Sequence, residues 1–119
     1  MKKLYFFYLL VALFAVSACT DEKKAEADKF LHEGEQKIIA QDFTGAEESF
    51  SKAITLDPER YTPYHGRGEV RILIGKKEEG LQDLAKAMKL MEENHNLNDP
   101  QYKAAFEGIK LKYERTGGK

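Results

Sequence analysis

The feature that most constrains the fold of this chain is an internal repeat of 34 residues. When residues 27–60 are aligned with residues 61–94, the identical pairs are Gly34/Gly68, Glu35/Glu69, Ile38/Ile72, Lys52/Lys86, Ala53/Ala87, Leu56/Leu90 and Glu59/Glu93. Several of them fall where two packed helices need small or apolar side chains at their contact. A repeat of this length is typical of proteins built from similar structural units that stack around a shared core.

The first unit resembles the tetratricopeptide repeat family, because small, aromatic and proline residues stand at that family's signature spacing. They are Phe30, Gly34, Phe43, Ala46, Phe50, Ala53 and Pro58. The resemblance implies an all-α fold, a short α-solenoid with repeats at 27–60 and 61–94. Gly34 and Ala46 are expected where the two helices cross closely, with Phe30 and Phe50 around the crossing.

Two charged residues of the first unit, Glu33 and Lys37, stand where the family usually has an apolar residue facing the partner helix. Either the helix is rotated so that other residues are buried, or its outer face is exposed because it is the terminal helix. We favour the second arrangement.

The second unit follows the same pattern. Thr62 is predicted to be the N-cap of its first helix, with Pro63 in the first turn, and residues 75–77 are predicted to be the turn between its helices. Arg67 and Asp83 come from facing helices in this register. They are predicted to form an intramolecular ion pair, since a carboxylate is the usual partner of a buried guanidinium.

Residues 99–115 are predicted to form a capping helix that covers the apolar side of the last repeat. Asp99 supplies an N-cap, Pro100 stands in the first turn, and apolar residues recur at helical spacing up to Tyr113. The alternative is that this apolar face binds another protein.

The chain begins with Lys2 and Lys3 and an apolar run at residues 4–16, followed by small residues. This pattern is typical of a secretory signal peptide, and the run is too short for a stable transmembrane helix, which needs about 20 residues. Residues 16–19, Val-Ser-Ala-Cys, resemble the lipobox of bacterial lipoproteins. The resemblance implies that residues 1–18 are a cleaved leader, that Cys19 is acylated, palmitate included, and that residues 19–26 are a linker to the membrane. The alternative is an ordinary signal whose next residue is cysteine.

Composition and motifs exclude several classes of function. The formal net charge is −1, and loss of Lys2 and Lys3 with the leader makes the mature part more acidic, so no basic surface for nucleic acid is expected. The histidines His32, His65 and His95 stand apart, and the one cysteine has no partner. We therefore expect no metal site, no cofactor and no catalysis.

The resemblance to tetratricopeptide arrays implies a groove, lined by the first helices of the units, that binds a protein or peptide. The corresponding residues are Leu31, Glu35, Ile38, Ile39, His65, Glu69, Ile72 and Leu73. The apolar four are equally compatible with the core, and the glutamates with a solvated surface. Acidic and apolar residues at these positions favour a basic or apolar ligand.

The predicted function is that of an adaptor or accessory subunit in the bacterial cell envelope, with the outer membrane favoured over the inner one. A self-associating structural lipoprotein without a foreign ligand is the alternative.

Overall fold

The computed structural model describes residues 2–119, and the side chains of residues 6, 7 and 9–18, which include most of the predicted leader and its cleavage site, lie outside that description. The helices are α1 (Lys2–Ile39), α2 (Phe43–Leu56), α3 (Tyr61–Leu73), α4 (Lys77–Asn94) and α5 (Pro100–Thr116). Helix α1 packs on α2, α3 packs on α4, and α2 contacts α3, so two helix hairpins are stacked and followed by α5. No strand occurs among residues 2–119. The predicted all-α, short solenoid fold is confirmed.

The first hairpin is organised around the ring of Phe50, which is 1% exposed. A methyl group placed on Gly34 of α1 would lie 2.6 Å from Phe50 Cε1, and one on Gly66 of α3 would lie 2.7 Å from Phe50 Cζ. The ring therefore touches bare backbone of both neighbouring helices, and Ala46 and Val70 complete its fully buried surroundings. Burying a phenylalanine side chain contributes about 1.5–3 kcal/mol.

The second hairpin is closed by backbone contact between its helices. A methyl group on Gly80 of α4 would lie 2.7 Å from the carbonyl oxygen of Gly68 in α3, and one on Gly68 would lie 3.0 Å from the carbonyl oxygen of Gly80. The turn before α4 uses Gly75 at φ 89°, a left-handed conformation that residues with a Cβ rarely adopt. Ala46 of α2 corresponds to Gly80, so a small residue stands at the same place in each hairpin.

Helix α5 covers the apolar side of α4. Ile109 is buried with Leu84, Leu90 and Met91, while Tyr102, Ala105, Phe106 and Tyr113 pack around them partly buried. Asp99 is confirmed as the N-cap, because its side chain accepts a hydrogen bond from the Gln101 N–H at 2.9 Å, and Pro100 is the first helical residue.

The loop before α5 is held by three rings. The imidazole of His95 stacks on Tyr102 with centroids 4.3 Å apart and meets the edge of Tyr61 at 5.4 Å. Tyr61 begins α3 and Tyr102 lies in the first turn of α5. The beginnings of α3 and α5 therefore lie at the same end of the molecule.

The prediction that Thr62 is an N-cap is wrong. Helix α3 begins at Tyr61, and Arg60 is the N-cap with an extended backbone at φ −88° and ψ 125°. Thr62 is already helical, and its buried hydroxyl has no hydrogen-bond partner among the described residues. An N-cap residue lies just before the helix, where its side chain can accept a hydrogen bond from a backbone N–H of the first turn. The backbone of Thr62 is already helical, so its side chain does not make that contact.

The prediction that Glu33 and Lys37 lie on an exposed outer face is also wrong. Both are partly buried against α2: the Lys37 ammonium lies 2.7 Å from the Glu33 carboxylate and donates to Ser49 Oγ at 3.0 Å. Ser49 in turn donates to Glu33 at 3.2 Å. The two charges satisfy each other, so this polar pair replaces an apolar contact between the helices.

The segment 19–26, predicted to be a linker, is helical and continuous with the rest of α1. Its residues are exposed, and Ala27 is the first buried residue after it. Seven helical residues, 20–26, therefore separate Cys19 from the packed body by about 10 Å along the helix axis.

We expect Gly34→Ala to lower the free energy of unfolding by about 1–3 kcal/mol, because the Phe50 ring cannot retreat from the new methyl group without meeting Gly66. Gly108→Ala is the matched control. Gly108 lies inside α5 with nothing within 4 Å of the added methyl group, so this variant should gain about 0.5–1 kcal/mol from helix propensity. Urea unfolding measures both, and equal effects of the two variants would contradict the packing assigned to Phe50.

Candidate functional site

The residues predicted to line a groove divide into an exposed set and a packed set. Ile39 is 75% exposed and Leu73 is 61% exposed, although both are large aliphatic side chains. Glu35 is exposed, and Glu69 and His65 are partly exposed. Each aliphatic residue ends its helix and follows its glutamate by one turn, so α1 and α3 present the same pair of side chains to solvent.

The other three predicted groove residues pack on the core. Leu31 and Ile38 of α1 lie partly buried against the cluster around Phe50, and Ile72 of α3 lies partly buried against the cluster around Leu84. These three residues pack beneath the surface. The glutamate and aliphatic pairs Glu35/Ile39 and Glu69/Leu73 are therefore the residues available to contact a ligand.

The glutamates of this surface lie beside histidines. His65 Nε2 is 3.5 Å from the Glu69 carboxylate, and His32 Nδ1 is 3.5 Å from the Glu35 carboxylate. The interaction with His65 lowers the pKa of Glu69, against the effect of its partial burial, and Lys112 of α5 lowers that pKa further. Glu69 is therefore ionised at neutral pH, and the effect of Lys112 places α5 near this part of α3.

Helices α1 and α3 are also joined at the beginning of α3. The Arg60 guanidinium forms an ion pair with the Asp28 carboxylate. This contact helps to fix the two exposed pairs relative to each other.

A buried ionic network lies between α2, α3 and α4. Asp83, which is 5% exposed, accepts from Arg67 Nε and Nη2, each at 2.8 Å, and from Arg71 Nη1 at 2.9 Å. Arg67 Nη1 also donates to Ser51 Oγ of α2 at 3.0 Å. The structure thus brings Arg67 and Asp83 together in a bidentate pair, the geometry that best satisfies a guanidinium and a carboxylate.

Glu47 of α2 and Arg71 are the parts of this network that the sequence analysis missed. The Glu47 carboxylate accepts from Arg71 Nε at 2.8 Å and from Lys76 Nζ at 3.0 Å. Burial acts to raise the pKa of Glu47, but the hydrogen bonds from Arg71 and Lys76 outweigh it and hold that pKa below its ordinary value. The available signal was the spacing of Arg67 and Arg71, which puts two guanidiniums one turn apart on one face of α3.

Among the residues that the structure describes, no three or more histidine, cysteine, aspartate or glutamate side chains are grouped so as to hold a metal ion. An open cleft of about 550 Å³ lies between α4 and α5, with Met88, Phe106 and Tyr113 in its lining and Lys89 and Glu92 among its charged residues. It lies apart from the exposed pairs of α1 and α3.

Comparison with known proteins gives a partial match. The chain is 35% identical over 74 residues to a tetratricopeptide repeat protein 36 homolog of Nematostella vectensis. The match covers 62% of this chain and 40% of that relative. No family model matches the chain. The chain is therefore similar to a tetratricopeptide repeat protein over part of its length.

We expect Glu47→Gln to reduce stability in a pH-dependent way. At pH 7 the variant should lose about 1–3 kcal/mol, since Arg71 and Lys76 lose an anionic acceptor. The folded pKa of Glu47 lies below its ordinary value of 4.5, so the stability that its charge contributes is complete above that value and is lost as the pH falls through the folded pKa. The difference between wild type and variant should therefore shrink below about pH 4.5.

Urea unfolding from pH 7 to pH 3 measures this difference, and Glu48→Gln is the matched control because Glu48 is the exposed neighbour on α2. A difference between wild type and Glu47→Gln that stays constant over the whole range would show that the ionised carboxylate contributes nothing.

Proposed function

We propose that this chain is a lipid-anchored protein-binding module of the bacterial cell envelope, an adaptor that holds another protein and catalyses no reaction. The observation that carries the binding part is the exposure of the aliphatic residues Ile39 and Leu73 at the same position of two stacked hairpins. Exposed apolar side chains that are repeated and held by a rigid scaffold are typical of interaction surfaces.

The similarity to a tetratricopeptide repeat protein supports the same proposal. Stacked helix hairpins form extended surfaces that bind segments of other proteins. In this chain that surface is formed by α1 and α3, with Glu35 and Glu69 beside the aliphatic residues.

The sequence pattern of residues 1–19 supports the proposed lipid anchor. Cys19 is exposed and is the one cysteine of the chain, and it follows an apolar run and small residues as a lipobox does. A single acyl chain gives only marginal membrane binding, whereas two or more give stable anchoring. The exposed helical segment 20–26 would then hold the packed body about 10 Å from the acylated residue.

Within residues 2–119, the structure contains no helix that combines the length and the apolar character needed to cross a bilayer.

We expect Cys19→Ser to abolish acylation. When the chain is produced in bacteria with an alkyne analogue of palmitate, the wild type should carry the label and sediment with membranes, and the variant should carry none. The matched control is Cys19→Ser combined with Thr20→Cys, which keeps a thiol one residue away and should also stay unlabelled. Label on the control would show that any nearby thiol is modified, and label on Cys19→Ser would contradict the lipid anchor.

We expect a photoreactive residue at position 73 to cross-link a partner protein in intact cells, because Leu73 is exposed on the proposed binding surface. Position 48 on α2 is the control, since Glu48 is also exposed and lies on a different helix. An adduct at 73 and none at 48 supports the adaptor. Absence of an adduct at 73 contradicts it, and an adduct that contains only a second copy of this chain favours self-association.

A further inference from the structure

Three helices, and not only the two predicted ones, carry the same pair of side chains. A glutamate is followed one turn later by an exposed aliphatic residue at Glu35 and Ile39, at Glu69 and Leu73, and at Glu107 and Leu111; Glu35 and Glu107 are exposed and Glu69 is partly exposed. Outside the leader, Ile39, Leu73 and Leu111 are the exposed large hydrophobic residues of the described side chains. The third of them, Leu111 of α5, is 47% exposed.

Two observations place α5 near α3. The ring of His95 lies between Tyr61 and Tyr102, so α3 and α5 begin side by side. One residue beyond Leu111, Lys112 acts on the carboxylate of Glu69. Leu111 lies in the same turn of α5 as Lys112, on its exposed side, and is therefore near the part of α3 that carries Glu69.

The position of α5 also explains why Leu111 can remain exposed. The opposite side of the helix is used for packing, where Ile109 is buried against Leu84 and Leu90 of α4. The helix thus has two separate roles, since one face caps the second hairpin and another extends the exposed surface.

The charges on this surface are distributed unevenly. On α1 and α3 the charges one turn before the aliphatic residues are those of Glu35 and Glu69. Over α5, Glu107 is accompanied by the exposed Lys103 and Lys110 and by Lys112, so the negative charge is concentrated on α1 and α3.

We propose that Ile39, Leu73 and Leu111 form one strip, and that it binds an amphipathic helical segment of a partner protein whose basic side chains face Glu35 and Glu69. This inference rests on the proposed function and gives the chemistry of its ligand. Packed helices lie about 8–10 Å apart, so a strip across three of them spans about 20 Å. A helix of about 14 residues has that length.

The charge complementarity favours lysine or arginine in the part of the ligand that lies over α1 and α3. Burial of the aliphatic side chains would supply most of the binding free energy, while the glutamates would set the orientation and reject acidic segments.

The test uses a designed peptide of about 14 residues, with leucines along one face, lysines in one half and glutamines elsewhere. Binding is measured by fluorescence anisotropy to the mature, acylated chain in nanodiscs of zwitterionic lipid, so that the peptide is not attracted to anionic lipid. A second peptide has glutamate in place of each lysine. We expect the lysine peptide to bind at least about tenfold more tightly than the glutamate peptide, a difference of about 1.4 kcal/mol.

Three variants and a matched control test whether the lysine peptide binds to the strip. Leu73→Ser, Leu111→Ser and the pair Glu35→Lys with Glu69→Lys should each weaken binding of the lysine peptide about tenfold or more. The matched control is Glu48→Lys with Glu92→Lys, which makes the same charge change on α2 and α4 and should leave binding unchanged. Thermal unfolding verifies that each variant is folded, as expected for exposed positions.

The outcomes separate this inference from the function on which it rests. If Leu111→Ser binds as tightly as the wild type, the three-helix strip is wrong while the surface of α1 and α3 stands. If both peptides bind equally or neither binds, the assigned ligand chemistry is wrong, and the cross-linking at position 73 still decides whether the chain is an adaptor. If sedimentation shows a dimer that Leu73→Ser disperses, the occupant is a second copy and the inference is overturned.

Discussion

The contact on which the rest of the structure depends is the placement of the Phe50 ring between the backbones of α1 and α3. A large ring can lie there only because Gly34 and Gly66 have no side chains, and methyl groups at these positions would approach the ring to 2.6 and 2.7 Å. Phe50 belongs to α2, so it joins the two helices of the first hairpin and the first helix of the second. This single side chain sets the distance between α1 and α3, the helices that present the exposed aliphatic residues.

A polar contact occupies the same place in both hairpins. Glu33 and Lys37 meet Ser49 in the first, while Arg67 and Arg71 meet Asp83 in the second. Residues 33, 37 and 49 of the first hairpin correspond to residues 67, 71 and 83 of the second at the 34-residue offset. Both hairpins therefore have a polar contact at the same positions, although the charges of the side chains differ. The second link is more deeply buried and is joined to α2 through Glu47 and Ser51. Since a buried charge that loses its partner is strongly destabilising, the pairing in this network favours the observed placement of α2, α3 and α4.

The proposed binding surface is built on this rigid arrangement. Leu31, Ile38 and Ile72 pack inward, which fixes the rotation of α1 and α3 about their axes and leaves Ile39 and Leu73 in solvent. The exposed side chains therefore need little reorganisation to receive a ligand, and the entropic cost of binding is reduced. An anchor at Cys19 would add the advantage that the surface stays close to partners in the same membrane.

The sequence by itself determined the number and order of the hairpins, the ion pair between Arg67 and Asp83 and the N-cap of α5, because periodicity, residue size and capping chemistry act over short stretches of chain. It did not determine that Glu33 and Lys37 face α2, that Glu47 and Arg71 join the buried network, or that Leu111 of α5 stays exposed. Each of these depends on side chains from helices that are distant in sequence. Only the tertiary structure decides which of several chemically suitable partners a charge meets and which apolar side chains stay exposed.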